Sequence, residues 1–280
     1  MPLLRTFSLS PNQLIPTITS IPALVKLFLV LICVLFMMGL PAHGDLLTDI
    51  EVLANQAISS LQQGDFASSE QLWTEILKLN PDNSAVWSNR GNVRLSQNKI
   101  EEAIADFSRS ISLTPDEPDP YLNRGIAYER LKEWDKAITD YDRVLEINRQ
   151  DAYAYNNRGN AYSGKGDWQR ALENYDRATK LDPKFAFARA NSALTRYQLG
   201  EDDRAVREIK NLIRKYPNFA DMRAALTAIL WHQQKRGEAE SNWVVVMGLD
   251  DRYQDLDWVQ NIRRWTPRLV QELGEFLTLQ

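Results

Sequence analysis

The chain has 280 residues and a net charge of −4, and its 33 basic residues are interleaved with 37 acidic ones, so no basic face for nucleic acid stands out. One cysteine, Cys33, and two histidines, His43 and His232, are too few for a disulfide, a thiol–imidazole dyad or a His/Cys metal cluster. Nucleic-acid binding, covalent staples and metal chemistry are therefore not expected.

Residues 1–44 have the order of an export leader. Arg5 and Lys26 precede an unbroken apolar run from Leu27 to Leu40, and the small residues Ala42 and Gly44 follow, which is the layout of a secretory signal cut after Gly44. Counted from Ala23 the stretch would make about 27 Å of helix with Lys26 snorkelling, against a hydrocarbon layer of about 30 Å, so an uncleaved anchor stays open. The N-terminal segment then supplies a membrane contact. On either reading the positive flank stays inside while Asp45, Asp49 and Glu51 follow the apolar run, which places the remainder on the non-cytoplasmic side: periplasm, lumen or extracellular face. Cys33 reads as one more apolar leader residue.

From residue 45 to 253 the chain keeps time. Prolines stand at 81, 115, 183 and 217, with Arg149 in the vacant place; glycines stand at 91, 125 and 159, and alanines at 103, 137, 171, 205 and 239. A fixed period of 34 residues marks stacked helix-turn-helix units. The phase gives units 50–83, 84–117, 118–151, 152–185 and 186–219, and a degenerate sixth at 220–253. In each, two antiparallel helices are predicted, as Trp87, Gly91 and Leu95 show by their four-residue spacing and Ala103, Phe107 and Ser110 by theirs. The small residues Gly91, Gly125, Gly159 and Ala193 are expected to face the alanines of the second helices. Trp73, Phe107, Tyr141, Tyr175 and Trp243 are expected to fill the gaps between layers. Gly64, Gly166 and Gly200, with Asn98 and Lys132 in the same phase, fall where a left-handed residue ends the first helix.

Trp87…Gly91…Ala103…Phe107…Pro115 and Tyr155…Gly159…Tyr162…Ala171…Tyr175…Pro183 together form a pattern that resembles the tetratricopeptide repeat. The resemblance implies an all-α fold, an α-solenoid of about six helix pairs wound into a right-handed superhelix, whose first helices line a concave groove that binds polypeptide. Ala57 and Ser69 in the first unit and Thr227 in the sixth depart from the pattern, as capping repeats do.

The tail, residues 254–280, begins at acids suited to a helix N-terminus, after which Trp258, Ile262 and Trp265 are expected to share one helix face; Thr266 and Pro267 then read as cap and first turn of a second helix. Either these helices cover the last repeat, or Trp258 and Trp265 form an exposed docking patch beside Arg263, Arg264 and Arg268.

No phosphate loop or Ser/His/Asp set occurs, so neither an enzyme nor a cofactor is expected. One constellation stands out: Asn55, Asn89, Asn123, Asn157 and Asn191 occupy one phase, two residues before the packing position. In the resembled family this position faces the groove, and an amide offers a donor and an acceptor to the backbone of an extended partner. The alternative, that these amides bond the neighbouring helix, stays open. Asn92, Asn160, Tyr153, Phe187, Arg130 and Glu129 are further groove candidates. Ser88, Leu122, Asn156, Tyr153 and Phe187 stand where the family's chaperone-tail clamp has cations, so that ligand is not expected. Arg90, Arg124 and Arg158 are expected to pair with acids such as Asp106 and Asp140. The expected function is an exported adaptor for a polypeptide partner, an assembly factor for membrane or envelope complexes. The alternatives are a scaffold working through its convex face and Trp-rich tail, or a regulatory subunit of an envelope enzyme.

Overall fold

The computed structural model describes residues 43–278; the leader, its cleavage site and Cys33 lie outside the described residues. Among the described residues there are fourteen α-helices and no strand. They follow as α1 (His43–Gln62), α2 (Phe66–Leu79), α3 (Ser84–Ser96), α4 (Ile100–Leu113), α5 (Pro118–Arg130), α6 (Trp134–Ile147) and α7 (Ala152–Gly164). After these come α8 (Trp168–Leu181), α9 (Ala186–Gln198), α10 (Asp202–Lys215), α11 (Ala220–His232), α12 (Arg236–Leu249), a 3-10 turn (Asp251–Gln254), α13 (Leu256–Asn261) and α14 (Pro267–Leu277). The fold is all-α and built from consecutive helix pairs. No helix among the described residues is long and apolar enough to cross a membrane.

The turns inside the pairs are left-handed as the sequence predicts. Gly64, Gly166 and Gly200 have φ of 79°, 78° and 85°, while Asn98, Lys132 and Gln234 hold the same conformation at 62°, 59° and 60° without glycine's freedom. Second helices start with side-chain caps where the sequence offers an aspartate: Asp65 accepts from the Ser68 amide and Asp167 from the Arg170 amide, whereas the longer Glu133 and Glu201 make no such bond.

The chain divides between Pro120 and Tyr121 into two compact units. In the first, Ile50, Ala54, Ala57, Trp73, Ile76, Val86 and Val93 form the core. Ser69, which departs from the alanine of the pattern, is buried with its hydroxyl donating to the Ala57 carbonyl at 2.8 Å, so the substitution leaves no unsatisfied group there. Arg90 forks onto Asp106 at 2.9 and 2.7 Å, and Arg94 joins the same carboxylate at 2.9 Å.

The expectation that glycine faces alanine needs correction. A Cβ on Gly91 would lie 2.7 Å from Phe107 Cε1, and in the second unit Cβ atoms on Gly125 and Gly159 would lie 2.5 Å from Tyr141 Cε1 and 2.7 Å from Tyr175 Cε1. Phe107, Tyr141 and Tyr175 thus lie on the glycine of their own pair. A ring can pack at van der Waals distance on the first helix only where that helix has no side chain.

In the second unit α5 to α12 form four pairs. Arg124 forks onto Asp140 at 2.9 and 2.8 Å, while Arg158 donates to Asn174 at 2.8 Å and pairs with Asp142. The three arginines are structural, as expected. The tail differs from its predicted form. α13 ends at Asn261, Ile262 is 63% exposed, Arg264 takes a left-handed φ of 56°, and Trp265 is buried outside any helix. Trp258, Ile262 and Trp265 therefore share no face. Pro267 does open α14, but the Thr266 hydroxyl makes no capping bond. α14 buries Leu269, Leu273 and Phe276, and the Phe276 ring meets Trp231 and Trp243 edge-on at 5.2 and 5.1 Å. Burying a side chain of that size contributes roughly 1.5–3 kcal/mol, before the gain from edge-on geometry.

Candidate functional site

The asparagines of the common phase are not equally placed. Asn55 on α1 is exposed, whereas Asn89 on α3 is buried, like Asn92 one turn on, with its Nδ2 unpartnered. In the second unit Asn123 on α5 and Asn157 on α7 are fully buried, and Asn191 on α9 is half-buried. What the structure brings together is an amide cluster on α7 and α9. Asn191 Nδ2 donates to Asn156 Oδ1 at 3.1 Å and to Asn160 Oδ1 at 3.2 Å, Asn156 Nδ2 donates to Asn157 Oδ1 at 3.2 Å, and the Tyr175 hydroxyl donates to Asn160 Oδ1 at 3.0 Å. The carbonyls of Asn156, Asn157 and Asn160 are consumed inside the cluster. The Asn157 Nδ2 is buried without a partner, and half-buried Asn160 keeps its Nδ2 as a donor.

The tail returns to this first-helix face. Arg264 Nη1 meets Glu129 Oε2 on α5 at 2.5 Å, and the Tyr141 hydroxyl donates to Glu129 Oε1 at 2.6 Å. Burial pushes the Glu129 carboxyl up and outweighs the pull of the Arg264 charge and the Tyr141 bond. Asp221, the second residue of α11, is a second anchor, accepting from Tyr253 Oη at 2.7 Å, Arg263 Nε at 3.0 Å and Trp265 Nε1 at 2.9 Å, all on Oδ1. Burial raises this carboxyl too, but here the Arg263 charge and the three hydrogen bonds win and hold it below the usual carboxylate range. The third anchor is Arg268, which forks onto Asp202 at 2.7 and 2.8 Å, donates to Glu272 at 3.1 Å and stacks 3.9 Å over the Tyr197 ring.

Between the face and the returning tail lies a cleft of about 700 Å³. Asn160, Ser163, Tyr175 and Asn191 line one side, Gln260 to Trp265 with Pro267, Val270 and Gln271 the other, and Lys132, Trp134, Lys165 and Trp168 of the intra-pair turns complete it. The cleft presents amides, cations and indoles; His232 is not part of its lining. Among the described residues no group of His, Cys, Asp and Glu is arranged to hold a metal ion.

Of the other groove candidates, Tyr153 and Phe187 are 39% and 41% exposed, each packed against a phenylalanine one repeat on: Phe185 at 4.9 Å and Phe219 at 5.9 Å between ring centroids. Arg130 is exposed at the end of α5, and burial of its stem together with the Arg264 charge lowers its pKa. The proposed docking patch at Trp258 and Trp265 is corrected by the tail's path. Trp265 is 5% exposed and bonded to Asp221, Trp258 is half-buried against Tyr253 at 5.2 Å, and Arg263, Arg264 and Arg268 are spent on internal acids. Sequence reasoning missed Trp134, Trp168, Lys132 and Lys165 as cleft residues, because turn positions carry no periodic signal of their own.

Comparison with known proteins agrees with this architecture. A family model described as TPR repeat matches residues 91–132 and 130–166, and two described as Tetratricopeptide repeat match 152–185 and 191–218. No curated protein matches the chain. Among solved structures, a tetratricopeptide repeat protein from Parabacteroides merdae is similar with a TM-score of 0.64 at 20% identity, covering 83% of this chain and 98% of that one. YrrB, described as a TPR protein with an unusual peptide-binding site, is similar with a TM-score of 0.51 at 17% identity over 69% of this chain and 97% of its own. MamA from Desulfovibrio magneticus is similar with a TM-score of 0.54 at 16% identity, over 59% and 94%. These repeats generally mediate protein–protein interaction, and the scaffold type is non-enzymatic. The 34-residue period, the paired helices and the matched segments make the chain a tetratricopeptide repeat protein.

Proposed function

We propose that this protein is an adaptor that holds an extended polypeptide segment against the first-helix face of residues 121–278. The observation that carries the reading is the α7/α9 amide cluster, where the carbonyls of Asn156, Asn157 and Asn160 are spent internally while half-buried Asn160 keeps its amide nitrogen as a donor for a partner's backbone carbonyl. Peptide binding by YrrB, a protein of the same fold, is a precedent. The leader extends the proposal to the non-cytoplasmic side of a membrane and to a role in assembling membrane or envelope complexes; the mass of the mature protein tests this, since loss of residues 1–44 accords with a cleaved signal and retention with an anchor.

The adaptor reading is tested by Asn160→Ala with Asn191→Ala. Partners captured from native extract by the parent protein are expected to be lost with helix content preserved, although leaving the buried Tyr175 hydroxyl without its acceptor should lower stability by about 1–3 kcal/mol. A folded variant that keeps every partner would overturn the reading. A second reading, the convex scaffold, is favoured by Val244, Val245 and Leu249, which are 72%, 38% and 38% exposed on α12. Partner loss on Val244→Lys with Val245→Lys would move the contact to that helix.

A further inference from the structure

We propose that the cleft between the first-helix face and the tail selects an acidic stretch of polypeptide. This rests on the adaptor reading and adds the charge of the segment held. The cleft lining includes Lys132, Lys165, Arg263 and Arg264 and no aspartate or glutamate, in a chain whose net charge is −4. The carboxylates that answer the two arginines, Asp221 and Glu129, stand outside the lining, so they anchor the guanidiniums without presenting negative charge to the cleft.

Both lysines are available to a ligand. Lys165 pairs with Asp135, whose side chain is 83% exposed, and such a surface pair contributes little. Lys132 forms no ion pair among the described residues. Asn160, with its carbonyl oxygen occupied by Tyr175 and Asn191, adds an amide donor. Amide donors, an unpaired Lys132 and a Lys165 held only by a solvent-exposed acid, in a lining without a carboxylate, select a ligand rich in acceptors and negative charge. Half-buried Trp168 adds apolar surface for the methylene stems of glutamate or for a flanking apolar residue, while the Trp134 ring is taken up by Gly164 and the Arg264 guanidinium, 5.5 Å from its centroid. A volume of about 700 Å³ is that of a peptide-sized site, not of a single ion.

The test is fluorescence anisotropy of the full chain with three labelled ten-residue peptides of Gly and Leu interspersed with Asp and Glu, with Asn and Gln, or with Lys. The acidic peptide is expected to bind at least about tenfold more tightly than the amide peptide at low salt, the preference shrinking as salt screens it. Lys132→Glu with Lys165→Glu is expected to abolish the preference with helix content preserved; Lys132→Gln with Lys165→Gln, a milder pair, is expected to reduce it if the reversal disturbs folding. Equal binding of the acidic and amide peptides removes this inference and leaves the adaptor reading standing. An acid preference untouched in both variants also overturns the assignment to this cleft, and binding of no peptide counts against both readings.

Discussion

Replacing Asp221 by alanine should release the tail from the repeats. Three donors converge on Oδ1, and Arg263 Nη2 faces Oδ2 at 2.7 Å, with the two side chains only 17% and 7% exposed for Arg263 and Asp221. Removing the acid leaves a largely buried guanidinium without its anion, which costs about 3–5 kcal/mol. In a unit of this size that corresponds to a fall in Tm of about 6–20 °C. Asp221→Asn keeps Oδ1 for Tyr253 and Trp265 but turns an amide donor toward Arg263, so roughly half the loss is expected. The assay is tryptophan fluorescence during thermal unfolding, with trypsin cleavage after Arg263 and Arg264 as the local probe. The same carboxyl predicts a pH dependence. Because its folded pKa lies below its unfolded value, its contribution is complete above about pH 4 and is lost as pH falls through the lower folded value. Acid should therefore loosen the tail of the parent and leave the alanine variant unaffected in that respect. A Tm within about 2 °C of the parent and an unchanged cleavage rate would refute the reasoning.

Gly159→Ala and Gly248→Ala should move stability in opposite directions in chemical unfolding. The first places a Cβ 2.7 Å from the buried Tyr175 ring and should cost about 1–3 kcal/mol of overpacking, more than the roughly 1 kcal/mol of helix propensity gained. The second meets nothing within 4 Å inside an exposed helix and should stabilise by about 0.5–1 kcal/mol. In the first unit, burial raises the Glu70 carboxyl, but bonds from Lys99, Arg94 and Gln97 outweigh it and bring its pKa to about 2. Glu70→Gln should cost on the order of 1–2 kcal/mol above about pH 4.5, since Lys99 is partly solvated, and the difference from the parent should vanish by about pH 2. A constant difference across that range would remove the ion pairs as its cause.

Much of the fold could be read because its determinants are periodic. The prolines, Gly91, Gly125 and Gly159, and the left-handed turn residues each repeat, and a register is a strong signal even when any single residue is weak. The glycine–aromatic contact was misassigned because Ala103 and Phe107 both lie on the buried face of α4, and only three-dimensional distances decide which one meets Gly91. The site was less legible. Asn157 and Asn191 share a phase with Asn55 and Asn89 while Asn156 and Asn160 do not, and their use depends on which neighbours are within reach. The tail was missed for a more basic reason. Its path turns at Arg264, where a non-glycine residue takes a left-handed conformation that no local signal marks. Buried acids on distant helices, Glu129 and Asp221, hold that turn in place.

The bond from Arg264 to Glu129 spans 135 positions and that from Tyr197 to Glu272 spans 75, whereas Arg90–Asp106 and Arg124–Asp140 each span 16. Contacts close in sequence form first, and distant ones wait on a larger loss of chain entropy. During synthesis the bonds inside each helix pair can form as that pair emerges, but the cleft has no second wall until residues 260–271 are made. A chain that lacks residues 260–271 would display its repeats without that wall.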